Sequence, residues 1–104
     1  MAVVRGEARD FLADHPTTAA LVVEVADASL RLDRSVKARI YARAGITDYW
    51  IVNLLDQVLE VHRDPVRARG RGFHYRDITA LGREGRIAPL AEPFVSIAVA
   101  DLLP

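Results

Sequence analysis

Residues 19–26 read AALVVEVA, a β-branched run that places apolar side chains on both faces of an extended segment. Leu21, Val23 and Val25 point one way and Val22 and Glu24 the other, so the strand belongs in the interior of a sheet covered on both sides. One carboxylate, Glu24, interrupts it. A helix is predicted next, with Ser29 or Asp33 at its start and Gly45 as the stop after Ala44. Stepping 100° per residue puts Asp33, Val36, Lys37, Ile40, Tyr41 and Ala44 on one side, with Arg34, Ser35, Ala38, Arg39, Ala42 and Arg43 outside it. Lys37 then sits near the middle of the face expected to pack on the sheet.

That position matters because the chain carries 14 basic residues and Lys37 is its one lysine. Arginine serves everywhere else. A buried lone carboxylate or ammonium costs several kcal/mol, so Glu24 and Lys37 each need a partner or a metal. They either serve structure, by pairing with each other, snorkelling to an edge, or both, or form a hydrolytic site in which a carboxylate holds Mg²⁺ and the ammonium orients water and stabilises a phosphoryl transition state. A compact ammonium suits the second task better than a planar guanidinium.

Further along, DYWIVN (48–53) and QVLEVHR (57–63) read as two strands joined by a turn at Leu54, Leu55 and Asp56. DPVRARGRG (64–72) reads as a turn and an arginine-rich loop, a short strand follows around Phe73–Ile78, and GREGR (82–86) is a second loop. The tail alternates Val95, Ile97 and Val99 and closes with a turn of helix at Asp101–Leu103. The expected fold class is α/β (α+β): a mixed β-sheet with a helix packed on it, in one domain over residues 1–104.

Composition narrows the function classes. With no cysteine, disulfides and thiolate metal sites are excluded. No apolar run approaches the roughly 18 residues of a membrane span and no signal-peptide pattern is present, so no membrane partner is expected and the expected location is cytoplasmic. The net charge is zero, against a protein that coats nucleic acid wholesale, yet it is unevenly spread. Residues 1–33 hold three arginines against six acids, and residues 61–90 hold seven against three. Arg63, Arg67, Arg69 and Arg71 are candidates for DNA-backbone contact or simply a solvated loop. His15, His62 and His74 lack metal-ligand spacing; His62 and His74 read as surface or edge residues, and Trp50 as core.

The stretch LVVEVADASLRLDRSVKARIYARAGITDYWIVNLLDQVLEVHRDP resembles the Uma-two family of restriction endonucleases, within the PD-(D/E)xK nuclease superfamily. The most specific parts are VVEV, the spacing of Asp33, Lys37, Tyr41 and Ala44-Gly45, and YWIV at 49–52. The resemblance implies a restriction-endonuclease-like fold and metal-dependent cleavage of DNA phosphodiesters with Mg²⁺ or Mn²⁺. It implies Glu24 as metal ligand, Glu24 and Lys37 as catalytic residues, and Asp33 and Tyr41 as support. Asp33 orients Lys37 or caps the helix, capping being the expectation. It also implies a homodimer that places one site on each DNA strand.

Two departures from the superfamily pattern stand out. Ala26 occupies the place of the lysine two residues after the glutamate, and Lys37 on the helix matches its migrated position. The family's first aspartate stands in a PDVAVVRG-like strand, whereas this chain opens MAVVRG, so that acid is absent. Glu7, Asp10 and Asp14 are expected in a loop beyond the strand and not to replace it. The expectation is therefore a nuclease fold with impaired catalysis. The alternative is a catalytically inactive remnant that serves as a DNA-binding or protein-interaction module.

Overall fold

A computed structural model of the chain describes residues 2–4 and 19–104, with side chains from Ala20 onward. Glu7, Asp10, Asp14 and His15 lie outside the described residues. Five strands form one sheet in chain order: β1 (Ala2–Val4), β2 (Ala19–Ala26), β3 (Asp48–Asn53), β4 (Val58–Ala68) and β5 (Gly72–Leu81). β2 and β3 run parallel and every other neighbouring pair is antiparallel, so the sheet is mixed as expected. The parallel pair follows from the crossover between them, which is the helix α1 (residues 30–43). A small ribbon of β6 (Arg86–Ile87) and β7 (Ile97–Ala98) and a 3₁₀ turn at Val99–Asp101 complete the described elements.

The two faces of β2 are used as its alternation predicts, except that Val25, expected to be covered, is exposed near the strand's end. Val22 and Ala26 join Tyr49 and Ile51 under α1. Leu21 and Val23 join Trp50, Val52, Leu59 and Val61 on the other face, which Val99 and Leu103 cover. The sheet therefore divides two apolar cores.

The helix departs from the regular 3.6-residue pattern. α1 is continuous but has three parts: α-helical Leu30–Leu32, a wide π turn at Asp33–Lys37, and α-helical Ala38–Arg43. In the wide turn the Ala38 N–H reaches back to the Asp33 carbonyl, which also accepts the Tyr49 hydroxyl from β3 at 3.0 Å. One extra residue in that turn shifts the phase of everything after it. The buried stripe is accordingly Leu30, Asp33, Ala38 and Ala42, at steps of three, five and four. Val36 and Ile40, placed on the packed face by uniform 100° steps, instead point to solvent, while Ala38 and Ala42, placed outside, are buried. Lys37 moves from the centre of that face to its edge, with its side chain 34% exposed.

The helix ends as its sequence indicates. Gly45 takes φ +79°, its N–H bonds the Ala42 carbonyl, and the Ile46 N–H bonds that of Tyr41, which satisfies two last-turn acceptors at once.

Two segments differ from expectation. The arginine-rich stretch read as a loop is mostly strand: β4 runs on to Ala68 and β5 begins at Gly72, leaving a tight turn at residues 69–71 with Gly70 at φ +82°. Cross-strand pairing from Leu59↔Leu81 to Ala68↔Gly72 keeps one register throughout, and this long hairpin overrides the turn signals of Asp64 and Pro65. At the tail, only Ile97–Ala98 of the predicted strand forms, and the helical turn falls at Val99–Asp101, two residues earlier than expected.

Candidate active site

Side chains on the helix-facing side of the sheet align in rows set by register. Glu24 lies beside Ile51, which lies beside Glu60, so two carboxylates stand on one level with a single strand between them. The helix answers each acid with a cation, and its widened turn lets Arg34 and Lys37 reach in different directions.

At Glu24 the four residues singled out by the sequence converge. Lys37 Nζ lies 3.3 Å from Glu24 Oε2, and the Tyr41 hydroxyl donates to Glu24 Oε1 at 2.9 Å. Lys37 Nζ also lies 3.1 Å from Asp33 Oδ1, one turn earlier. That contact is an ion pair outside hydrogen-bond geometry, which leaves the buried Asp33 Oδ1 without a hydrogen bond. Ser29 Oγ donates to the other Asp33 oxygen at 3.2 Å. Asp33 is thus inside the helix and does not cap it, and Ser29 precedes the first turn without a side-chain cap bond. Its carboxylate holds Lys37 instead.

The electrostatics follow. The close contact with Asp33 comes first, then Glu24, and together they outweigh burial and raise the Lys37 ammonium above its ordinary value, so it stays charged at neutral pH. Burial, reinforced by Glu24, pushes the Tyr41 hydroxyl up to about 12 and keeps it a proton donor. Glu24 keeps 21% of its side chain exposed, so the cluster opens to solvent at an edge.

Glu60, the second acid, was not singled out by the sequence. Arg34 clasps it through Nε and a terminal nitrogen, and Asn53 Nδ2 donates to it at 2.9 Å. Burial alone would raise this carboxyl; Arg34 and Asn53 outweigh it and hold the group below its ordinary value. His62, expected at the surface, is 2% exposed and lies under the helix against Tyr49 and Tyr75. Desolvation pushes its imidazole down, so it is neutral at pH 7, and neither ring nitrogen has a hydrogen-bond partner. The cue was the alternation of β4, where Glu60 and His62 share one face between Leu59, Val61 and Arg63.

The other arginine expectations divide. Arg63 is held: Nε donates to the buried Asp48 Oδ1 at 2.9 Å and a terminal nitrogen reaches the Ala88 carbonyl at 2.7 Å. The same carboxylate accepts from Trp50 Nε1 at 2.6 Å and the Leu90 N–H at 2.9 Å. Arg67 lies over the Phe73 ring, 5.7 Å from its centroid, and Arg69 and Arg71 are exposed around the hairpin turn.

For a divalent metal the donor chemistry is hard oxygen. Among the described residues, no group of three acids or histidines is placed to hold an ion. Glu24 fits the looser mode of Mg²⁺, which takes one or two carboxylates and completes its shell with water and substrate phosphate. No helix among the described residues is long and apolar enough to cross a membrane.

No curated protein matches the chain. A family model does: Uma2, described as "Putative restriction endonuclease", matches residues 1–100, which include β2, the helix and the converged cluster. The chain belongs to the Uma2 family.

Proposed function

We propose that this domain is a metal-dependent DNA endonuclease whose active site is the Glu24–Lys37 cluster. The observation that carries the reading is convergence: a strand carboxylate and the chain's one lysine meet at 3.3 Å on an edge open to solvent. Glu24 would hold Mg²⁺ or Mn²⁺, which when bound neutralises charge on the scissile phosphate and lowers the pKa of a bound water. Lys37 remains an ammonium, so it is not the base. It donates hydrogen bonds to the attacking water and to the phosphoryl oxygens as charge builds on them. Asp33 positions Lys37, and Tyr41 fixes the rotamer of Glu24. Arg67, Arg69 and Arg71 lie along the hairpin as contacts for DNA phosphates. A cytoplasmic homodimer acting on both strands completes the proposal.

A second reading has its own support. Both Glu24 oxygens are occupied, one by Tyr41 and one by Lys37, as in a purely structural ion pair. On that reading the domain binds DNA or protein without cutting.

Register suggests how to separate the two. Ala2 pairs with Val22 and Val3 with Leu21, so an aspartate added immediately before Met1 would stand opposite Glu24 on the same face. Supercoiled-plasmid nicking in Mg²⁺ or Mn²⁺ tests the chain as given beside one extended upstream by Pro-Asp. Cleavage by either chain, falling at least 100-fold in Lys37→Ala and in Glu24→Gln, is the expected result. Silence from both, with DNA retention intact, selects the second reading.

A further inference from the structure

On the opposite side of the helix from Lys37, a cavity of about 300 Å³ opens between α1 and the β4–β5 hairpin. This volume is at the lower end for small-ligand sites. Its walls include Arg34, Arg39, His62, Arg71, Phe73 and His74, and no acid lines it among the described residues. Arg34 is already matched by Glu60 and lies 4.0 Å from Asp56. Arg39 and Arg71 are different: neither guanidinium has an acid partner among the described residues, so two unmatched positive charges face one space. At the buried end His62 presents an imidazole that lacks a hydrogen bond at either nitrogen. Glu60, with its Oε1 3.5 Å from His62 Nε2, stands beside that ring with its charge met by Arg34. His74 adds a second imidazole, whose Nδ1 is 3.3 Å from the Gly72 carbonyl.

We propose that this cavity binds a phosphate monoester, its oxygens held by Arg39 and Arg71 and by a ring N–H of His62. The chemistry is specific for the anion. Guanidinium forks match two phosphate oxygens each, and a neutral imidazole that is already buried gives one N–H without further desolvation cost. Phe73 supplies an apolar wall against which a base or other flat group attached to the phosphate can lie. The phosphate group belongs either to a free mononucleotide or to the end of a nucleic-acid strand. The site stands apart from the Glu24–Lys37 cluster and does not depend on cleavage.

The test is titration of the whole ¹⁵N-labelled chain, followed by NMR, with inorganic phosphate and then a nucleoside 5′-monophosphate, both without metal. Saturable binding that moves the ring signals of His62 and His74 is expected. Arg39→Gln with Arg71→Gln should weaken it at least tenfold, while Arg31→Gln with Arg43→Gln, which removes equal exposed charge elsewhere on the helix, should leave it unchanged. Absence of saturation, or equal loss in both double variants, overturns the pocket. Short duplexes with and without a 5′-phosphate then identify the source. Stronger binding of the phosphorylated duplex assigns a strand end; preference for the free nucleotide assigns a small molecule.

Discussion

Asp48 makes more polar contacts than either residue first singled out for chemistry. Fully buried at the head of β3, it accepts from Arg63, from the Trp50 indole and from the Leu90 backbone. Replacement by alanine strands three donors, one of them charged, and is expected to cost about 3–5 kcal/mol. Urea unfolding of Asp48→Ala against the parent checks this, and a loss below about 1 kcal/mol would contradict it. At this scale the sequence was informative where a residue was chemically out of place. Glu24 in an apolar strand and one lysine among arginines both led to the cluster. It did not show what Asp48, Glu60 and His62 meet, because a polar residue in a strand carries no mark of its partner. Arg63 and Arg34 are 15 and 26 residues from the acids they hold; strand pairing brings the first pair together, and packing of the helix on the sheet the second.

Strand alternation survived translation into structure and helix periodicity did not, for a reason confined to five residues. A period of two has no slack: β2 puts Val22 and Glu24 on one face and Leu21 and Val23 on the other, as its alternation predicts. A helical stripe accumulates phase, and the widened turn at Asp33–Lys37 adds about one residue to it. Nothing in DRSVK marks a π turn, since the Tyr49 hydroxyl that bonds within it arrives from another strand. Deleting Ser35 should restore a regular helix, and the altered phase then sets Arg34 and Lys37 against the wrong sites or drives Ala38 and Ala42 off the sheet. The expected outcome is a folded but less stable chain, by about 2 kcal/mol or more, with any nicking activity abolished. Circular dichroism melts beside the plasmid assay check it; unchanged stability and activity would mean that the turn is incidental. The 69–71 hairpin turn was hidden in a similar way, because glycine and proline punctuate strands as readily as they interrupt them.

Across the whole molecule, one sheet separates two cores closed by different parts of the chain. Helix α1 and Tyr75 cover one face, and Val99 and Leu103 cover the other, over Trp50. Val99→Asp places an unpaired carboxylate in the second core and should cost more than about 3 kcal/mol, with a red shift of Trp50 emission. A variant as stable as the parent would show that the tail is not integral to the fold. The mixed architecture was legible in the order of elements, while the reach of the tail across the sheet was not, because no local pattern encodes contacts between residues 50 apart. The division also imposes a schedule during synthesis. The helix-side core has all its parts once Tyr75 has left the ribosome, yet Trp50 stays uncovered on the far side until Val99 and Leu103 emerge. For that interval the nascent chain is a half-roofed sheet, its far-side core still open long after the Glu24–Lys37 cluster has assembled.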